Sequence, residues 1–289
     1  MPSLKEVSTK ITGVKKTSQI TKAMNMVSSA KLRGAQEKME NFHPYAEKFN
    51  VTMANLSGGA SDYPLMEERE VQTVEIVVVT SDRGLCGSFN ANIIKMAEKL
   101  AHEYEAAGKK VSYVCVGKKA NQLLKKSGKV RTAYTDIMGT FQMFNAREIS
   151  TEVAANFVSG EADEVKLIYG HFHSVAKQLA TTLHLLPIKP IEAEGEQAAE
   201  QASGDYIAEP SSEEIMEVLL PLYGNVMIYN AMLQVGASEQ AARMTAMDNA
   251  TNACNDIVDE LTTIFNKARQ AAITGDLMDI VGGAEALKG

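Results

Sequence analysis

Three sets of side chains carry reactive chemistry by type and spacing. The first is "TSDRGLCGSFN", Thr80 to Asn90, where two glycines, a cysteine and an Asp-Arg pair share a short loop after the apolar run Val74 to Val79. A loop between a strand's carboxyl end and a helix N-terminus is where an α/β sheet holds an anion, and the amides of Gly84 and Gly87 would be its donors. The loop lacks both GxGxxG and the Gly-Lys-Ser/Thr of a phosphate-binding loop. Glycines that supply positive φ to a tight turn are therefore the preferred reading. The second is Cys86, whose thiol would be acidified beside a helix N-terminus. A cysteine nucleophile also needs a base. His102 lies far along the following helix, and His171 and His173 belong to another strand. The third is that histidine pair, which alternation puts on one strand face with nothing nearby to serve as a third metal ligand. No catalytic residue, cofactor site or metal site is expected.

Composition narrows the partners. The chain has 289 residues and a net charge of -7, which argues against a dedicated nucleic-acid binder. The charge is unevenly spread. Met1 to Glu40 holds eight Lys/Arg against three Asp/Glu, and Ile191 to Glu217 holds nine Asp/Glu and no Lys/Arg. A basic rod that meets an acidic partner and two plainly solvated faces both fit this pattern. Aromatics are 6% of the chain, with no Trp and 15 Met, a composition suited to long packed helices. Cys86, Cys115 and Cys254 form neither a disulfide framework nor a zinc signature, which points to a reducing compartment. The N-terminus reads as neither a secretory nor a transit segment. No uninterrupted apolar run approaches the ~18 residues needed to span a bilayer, so any membrane link is expected to pass through a partner.

The elements that would position these residues are two long helices around an α/β insert. Leu4, Val7, Ile11 and Val14, then Met39, Phe42, Ala46, Phe49, Met53 and Leu56, recur at alternating threes and fours, the seam of a coiled coil. Between them Ser18, Thr21, Asn25 and Ser28 occupy the seam, while Ile20, Met24 and Val27 form a displaced apolar stripe. Small polar residues there fit either a weakly packed, solvated rod or a stretch that faces other subunits through loose contacts that exchange easily. In the last segment the seam is expected at Ile215, Leu219, Leu222, Val226, Tyr229 and Leu233, and again from Met244 through Met247, Thr251, Cys254, Val258, Leu261, Phe265, Ala268 and Ala272. Pro44 and Pro221 predict a kink or an interruption. At about 1.5 Å per residue the last helix would reach on the order of 110 Å if straight, too long to be buried in its own chain. Its end, with Ile273, Leu277, Ile280 and Val281, lacks a partner segment and wants an enclosing sleeve.

The expected fold is therefore α/β plus a long antiparallel coiled coil, with an inserted Rossmann-like domain. Its divisions are a helix at 1–57, an α/β domain at 70–190, a mobile loop and foot at 191–210, and a helix at 211–289. In the insert, strand-helix alternation over "VEIVVV", Phe89 to Ala106, "VSYVCV", Lys118 to Lys126, "VRTAYT", Ala146 to Val158 and "EVKLIYGHF" predicts a mostly parallel sheet.

Three blocks, "ITKAMNMVSSAKL", "SDRGLCGSFN" and "ASEQAARMTAMDNATNA" with the later "NKARQAAITGDLMDIVGGAEAL", resemble the gamma subunits of bacterial F-type ATP synthases. With the element order, the resemblance covers essentially the whole chain. It implies a non-catalytic rotor shaft inside a ring of alpha and beta subunits, with the epsilon subunit and the membrane c-ring at its foot. It implies beta contacts at Lys22, Met24, Cys86, Arg243, Arg269 and Gln270. The foot would comprise Asp205, Tyr206 and Glu209, and the location would be the cytoplasmic face of a bacterial membrane. One departure is Asp276, where the family usually has Glu.

Overall fold

The computed structural model describes residues 3–57, 63–189 and 211–286. The chain forms two compact units, Met1–Ser28 with Met244–Gly289, and Ser29–Arg243. The division falls inside both long helices rather than at the ends of the α/β insert.

Helix α1 spans Leu4–Ser57 and the last helix, α5, spans Ser212–Ala286. Neither is interrupted at its proline, so of the two expected outcomes the interruption does not occur. Both prolines are exposed, so water can take the carbonyl that each ring frees. The α/β insert has a five-stranded sheet in the order β3-β2-β1-β4-β5. Its strands are β1 Thr73–Val79, β2 Lys110–Val116, β3 Val130–Tyr134, β4 Glu164–Ser174 and β5 Lys177–Leu186. The first four are parallel; β5 returns antiparallel to β4. Helices α2 Phe89–Ala106 and α3 Lys118–Leu124 join β1 to β2 to β3, and α4 Met143–Val158 leads from β3 back to β4. Right-handed crossovers that reverse direction put α4 on the face opposite α2.

Val74, Ile76, Val77, Val78 and Val79 are fully buried, as befits a central strand covered on both faces. The segment of α5 from Met216 to Ala241 joins the same core through Met216, Leu220, Tyr223, Val226, Ile228, Ala231, Met232 and Val235. The two-helix seam expected here holds in part: Val226 and Leu233 are buried and Tyr229 meets Phe42 of α1 with ring centroids 4.9 Å apart, but Leu222 is exposed, while Met216, Leu220 and Met232, off that seam, are buried too. A helix apolar nearly all round is buried by many neighbours at once. Gly170 on β4 allows a close approach: a Cβ there would lie 2.3 Å from the Phe89 ring at the start of α2. One 18-residue window of α5 reaches a mean hydropathy of 1.3, and 56% of it is buried inside the fold, as in the core helix of a globular protein.

Candidate functional site: a filled switch point and a polar seam

Strand order reverses at β1, whose neighbours β2 and β4 are reached by connections of opposite direction. Open α/β sheets bind ligands in the crevice outside the strand ends at such a point. Here the loop Thr80 to Asn90 and side chains of α5 fill it. Ser81 N and Oγ both donate to Asn90 Oδ1, at 3.0 and 3.1 Å, and Asn90 Nδ2 lies 2.8 Å from Ser81 Oγ. Asp82 turns inward and accepts the amides of Lys118, Asp136 and Met138 at 2.8 to 3.0 Å, tying together the loops after β1, β2 and β3. Gly117, at φ 97°, lies so close to Thr80 that a Cβ would come within 2.2 Å of its carbonyl oxygen. From α5, Gln234 accepts the Phe172 amide at 3.0 Å, and the Ser238 hydroxyl donates to the Gly170 carbonyl at 3.1 Å. Arg243 donates to the Gly84 carbonyl from Nε at 3.3 Å and from a terminal nitrogen at 3.0 Å; it also pairs with Glu239 at 2.5 Å.

In this arrangement the polar side chains of the loop are engaged with one another and with backbone amides. Cys86 is 2% exposed, and burial pushes its thiol up. It receives Asn90 Nδ2 at 3.1 Å rather than a base. Burial also holds the Glu239 carboxyl above its usual range in spite of Arg243. Gly87 supplies positive φ as expected, at 58°, but Gly84 does not; Leu85 does, at 61°. His171 packs its ring against Tyr169, and among the described residues no group of three potential metal ligands occurs.

In the other unit the two long helices run antiparallel, and the polar seam is the buried one. Thr21 and Thr251 hydroxyls lie 2.7 Å apart, Ser18 donates to Asn255 at 3.0 Å, and Asn25 donates to the Met244 carbonyl at 2.9 Å. Thr21 and Ser28 are buried, while Ile20 and Val27 are more than half exposed. The seam continues half-buried through Cys254, Val258, Leu261, Phe265 and Ala268. It stops there: Ala272 and every described residue from Arg269 to Ala286 are exposed.

The sequence-predicted site residues separate into three groups. Lys22, Arg269 and Gln270 are exposed, and Met24 is half-buried. Cys86 and Arg243 are buried and belong to the switch-point network, Arg243 being 7% exposed. Asp205, Tyr206 and Glu209, with the whole segment 191–210, lie outside the described residues. Asp82 was singled out only as half of the Asp-Arg pair of the loop, without its role, and Gln234, Ser238 and Glu239 were not singled out at all. The spacing of Glu239 and Arg243 at i and i+4 was the one available signal.

Comparison with known proteins accounts for this combination. The ATP synthase family model matches residues 3–287. An ATP synthase gamma chain from Desulfotalea psychrophila is 66% identical, covering 100% of both chains. The chain belongs to the ATP synthase gamma-chain family. Another gamma chain, from Nitratidesulfovibrio vulgaris, is 55% identical over 100% of both chains. Among solved structures, the central stalk and c-ring of Tetrahymena thermophila mitochondrial ATP synthase includes a chain with 28% identity and a TM-score of 0.61. That match covers 80% of this protein and 99% of that chain. A chain of the Euglena gracilis enzyme shares the fold at a TM-score of 0.69 and 20% identity, covering 98% of this protein and 94% of that chain. A gamma-chain fold puts the filled crevice in context: its sheet carries α5 where an enzyme of this topology would carry substrate.

Proposed function

We propose that the protein is the central turning shaft of an F1Fo ATP synthase, without an active site of its own. It couples ion flow through the membrane c-ring to ATP synthesis or hydrolysis on a ring of alpha and beta subunits. The observation that carries this reading is the exposed end of α5 beyond Ala268, where Ile273, Leu277, Met278, Ile280 and Val281 have more than half their surface free. An apolar run that long needs an enclosing surface supplied by other chains. The unlike faces of the polar-seamed coiled coil suit the same role. Turning such an object gives each catalytic site a different contact set, and differential contact is how an effector shifts affinity.

Lys22, Met24, Arg269 and Gln270 meet the beta subunits directly in this reading. Cys86 and Arg243 act by fixing the loop between them. The foot, at Asp205, Tyr206 and Glu209, meets the c-ring, with the epsilon subunit alongside. The protein reaches the cytoplasmic face of a bacterial membrane through these partners alone. The test is assembly of the full chain with alpha and beta subunits. ATP turnover far above that of alpha and beta alone is expected; a chain that neither assembles nor stimulates overturns the reading.

A further inference from the structure

Four titratable side chains meet at the amino end of β4, and none of them belongs to the switch-point network or to the polar seam. Glu164 opens β4, Lys166 follows it on the same face, and His184 stands opposite Lys166 on β5. Tyr104 reaches them from the last turn of α2. Glu164 Oε1 receives Lys166 Nζ at 2.8 Å, and Glu164 Oε2 receives the Tyr104 hydroxyl at 2.7 Å. Lys166 Nζ also lies 3.0 Å from His184 Nδ1, and His184 Nε2 lies 2.9 Å from the Pro187 carbonyl oxygen.

These contacts fix the state of the imidazole. A carbonyl oxygen offers lone pairs only, so Nε2 carries a hydrogen and donates it. An ammonium offers donors only, so Nδ1 presents a lone pair and accepts. His184 is therefore neutral in this arrangement, with its hydrogen on Nε2. Yet Glu164 Oε1 stands 3.3 Å from the same Nδ1. Against a lone pair that oxygen is idle; it suits an imidazolium. Nδ1 thus faces a donor for one protonation state and an acceptor for the other, the layout of a small two-state element.

The other charged groups around it, among the described residues, are already committed or face water. Glu103 and Lys109 stand at the Tyr104 end, with Lys109 Nζ 5.3 Å from the ring centroid. Asp163, next to Glu164, is taken up by the amides of Gln72 and Thr73. Lys189, beyond Pro187, is exposed. Burial and Glu164 push the Tyr104 hydroxyl up, so it stays a donor. Against its burial, hydrogen bonds bring the Glu164 carboxyl down to about 2, so it stays an acceptor. Histidine is the side-chain type that changes charge between about pH 5 and 8.

We propose that His184 is a proton-operated switch: on taking a proton at Nδ1 it releases Lys166, turns to Glu164 and tightens its hold on the Pro187 carbonyl. Two cations cannot keep a 3.0 Å contact once Nδ1 carries hydrogen. The Lys166 side chain is 19% exposed and has solvent to move into. It keeps Glu164 Oε1, whose second lone pair receives the Nδ1 hydrogen. The Nε2 bond to Pro187 persists and gains charge assistance, which about doubles the strength of such a bond. Ile188, the next residue, is 3% exposed and donates to the Leu65 carbonyl at 2.8 Å. Acid therefore tightens the chain where it leaves the sheet, and alkali loosens it. The switch belongs to the chain by itself and does not depend on the shaft reading.

The test is nitrogen NMR of the full chain with labelled histidine, the five histidines being few enough to assign with a His184→Asn variant. Near pH 8 the His184 ring should show hydrogen on Nε2 alone; hydrogen on Nδ1 there overturns the proposal. Two substitutions then carry opposite signs. Lys166→Met removes the cation at Nδ1 and should move the protonation midpoint of His184 up by about one pH unit. Glu164→Gln removes the waiting acceptor and should move it down by about as much. Tyr104→Phe touches neither partner of Nδ1 and should leave it nearly unmoved. Midpoints that move together, or do not move, overturn the switch. Hydrogen-exchange protection of the Ile188 amide, corrected for the intrinsic effect of pH, reads the tightening without any substitution. It should rise about five-fold in the wild type as the imidazole takes its proton. A flat response across the His184 midpoint overturns the coupling to Pro187.

Discussion

The two halves of α5 are one helix with two kinds of surroundings. From Met216 to Ala241 it is buried by the sheet unit, with Ile228, Met232, Val235 and Ala237 at zero exposure. From Met247 to Ala268 it meets α1 along a single half-buried line, helped by the Thr21, Ser18 and Asn25 hydrogen bonds. Dense packing makes an interior that transmits strain and has one arrangement. A seam of hydroxyls and amides gives up that density. Each lost large apolar side chain forgoes about 1.5–3 kcal/mol of burial. One half is held by many neighbours, and the other by a single line. Membership in a family of rotor stalks gives that division a use.

The comparison can be broken most directly along α5 itself. Met232→Ala should cost about 2–5 kcal/mol in denaturant unfolding. Leu261→Ala, at a half-buried seam position, should cost about 1 kcal/mol. Equal costs would show that the two halves are not packed differently.

The junction between the halves is the next point of attack. Arg243→Met leaves Glu239 buried without its counter-ion and the Gly84 carbonyl without its donor, for a loss of about 3 kcal/mol. The double variant Glu239→Leu with Arg243→Met should recover most of it by thermal unfolding, because no charge then remains buried. A double variant as unstable as the single one would mean the guanidinium matters for Gly84 rather than for Glu239.

A third prediction concerns acid. Burial pushes the Glu164 carboxyl up, but hydrogen bonds from His184, Lys166 and Tyr104 outweigh it and bring the carboxyl down to about 2. A carboxylate lowered in the folded state adds stability above its unfolded range, near 4.5. That stability is lost as pH falls from about 4.5 toward 2. The Ser29–Arg243 unit should therefore weaken over that window, and Glu164→Gln should flatten the decline. An unchanged pH profile in the variant would remove Glu164 from the account.

The smallest effect is expected in the seam. Thr21→Val with Thr251→Val removes both hydroxyls of one contact and should leave stability within about 1 kcal/mol. A loss of several kcal/mol would mean that the seam is a specific lock rather than a loose one.

Element identity was legible wherever the local signal was unopposed. The range Phe89 to Ala106 reads as a helix from its apolar spacing and the glycine beyond it, and the structure ends α2 at the same residues. The positions of the polar seam were legible for the same reason, since Ser18, Thr21, Asn25 and Ser28 keep the heptad that flanks them, but their hydrogen bonds to Asn255, Thr251 and Met244, in place of solvent or other subunits, were not. The seam from Ile215 to Leu233 was read only in part, with Leu222 exposed and Met216, Leu220 and Met232 buried off it, because periodicity shows which residues are apolar but not how many neighbours surround the helix. The switch-point network was largely hidden. Its bonds join Gly84 to Arg243 and Phe172 to Gln234, pairs separated by 159 and 62 positions, and residue type alone cannot reveal such partners.

The sequence by itself determined the element order, the polar seam positions of the first helix and the lack of a phosphate-loop or nucleophile pattern, because these depend on residues a few positions apart. Only the tertiary structure decided that α5 would fill the ligand crevice, that Arg243 would turn inward, and that Leu85 rather than Gly84 would take the left-handed turn. Those outcomes follow from which distant groups satisfy each other's hydrogen bonds once water is excluded, and that is set when the chain has closed on itself.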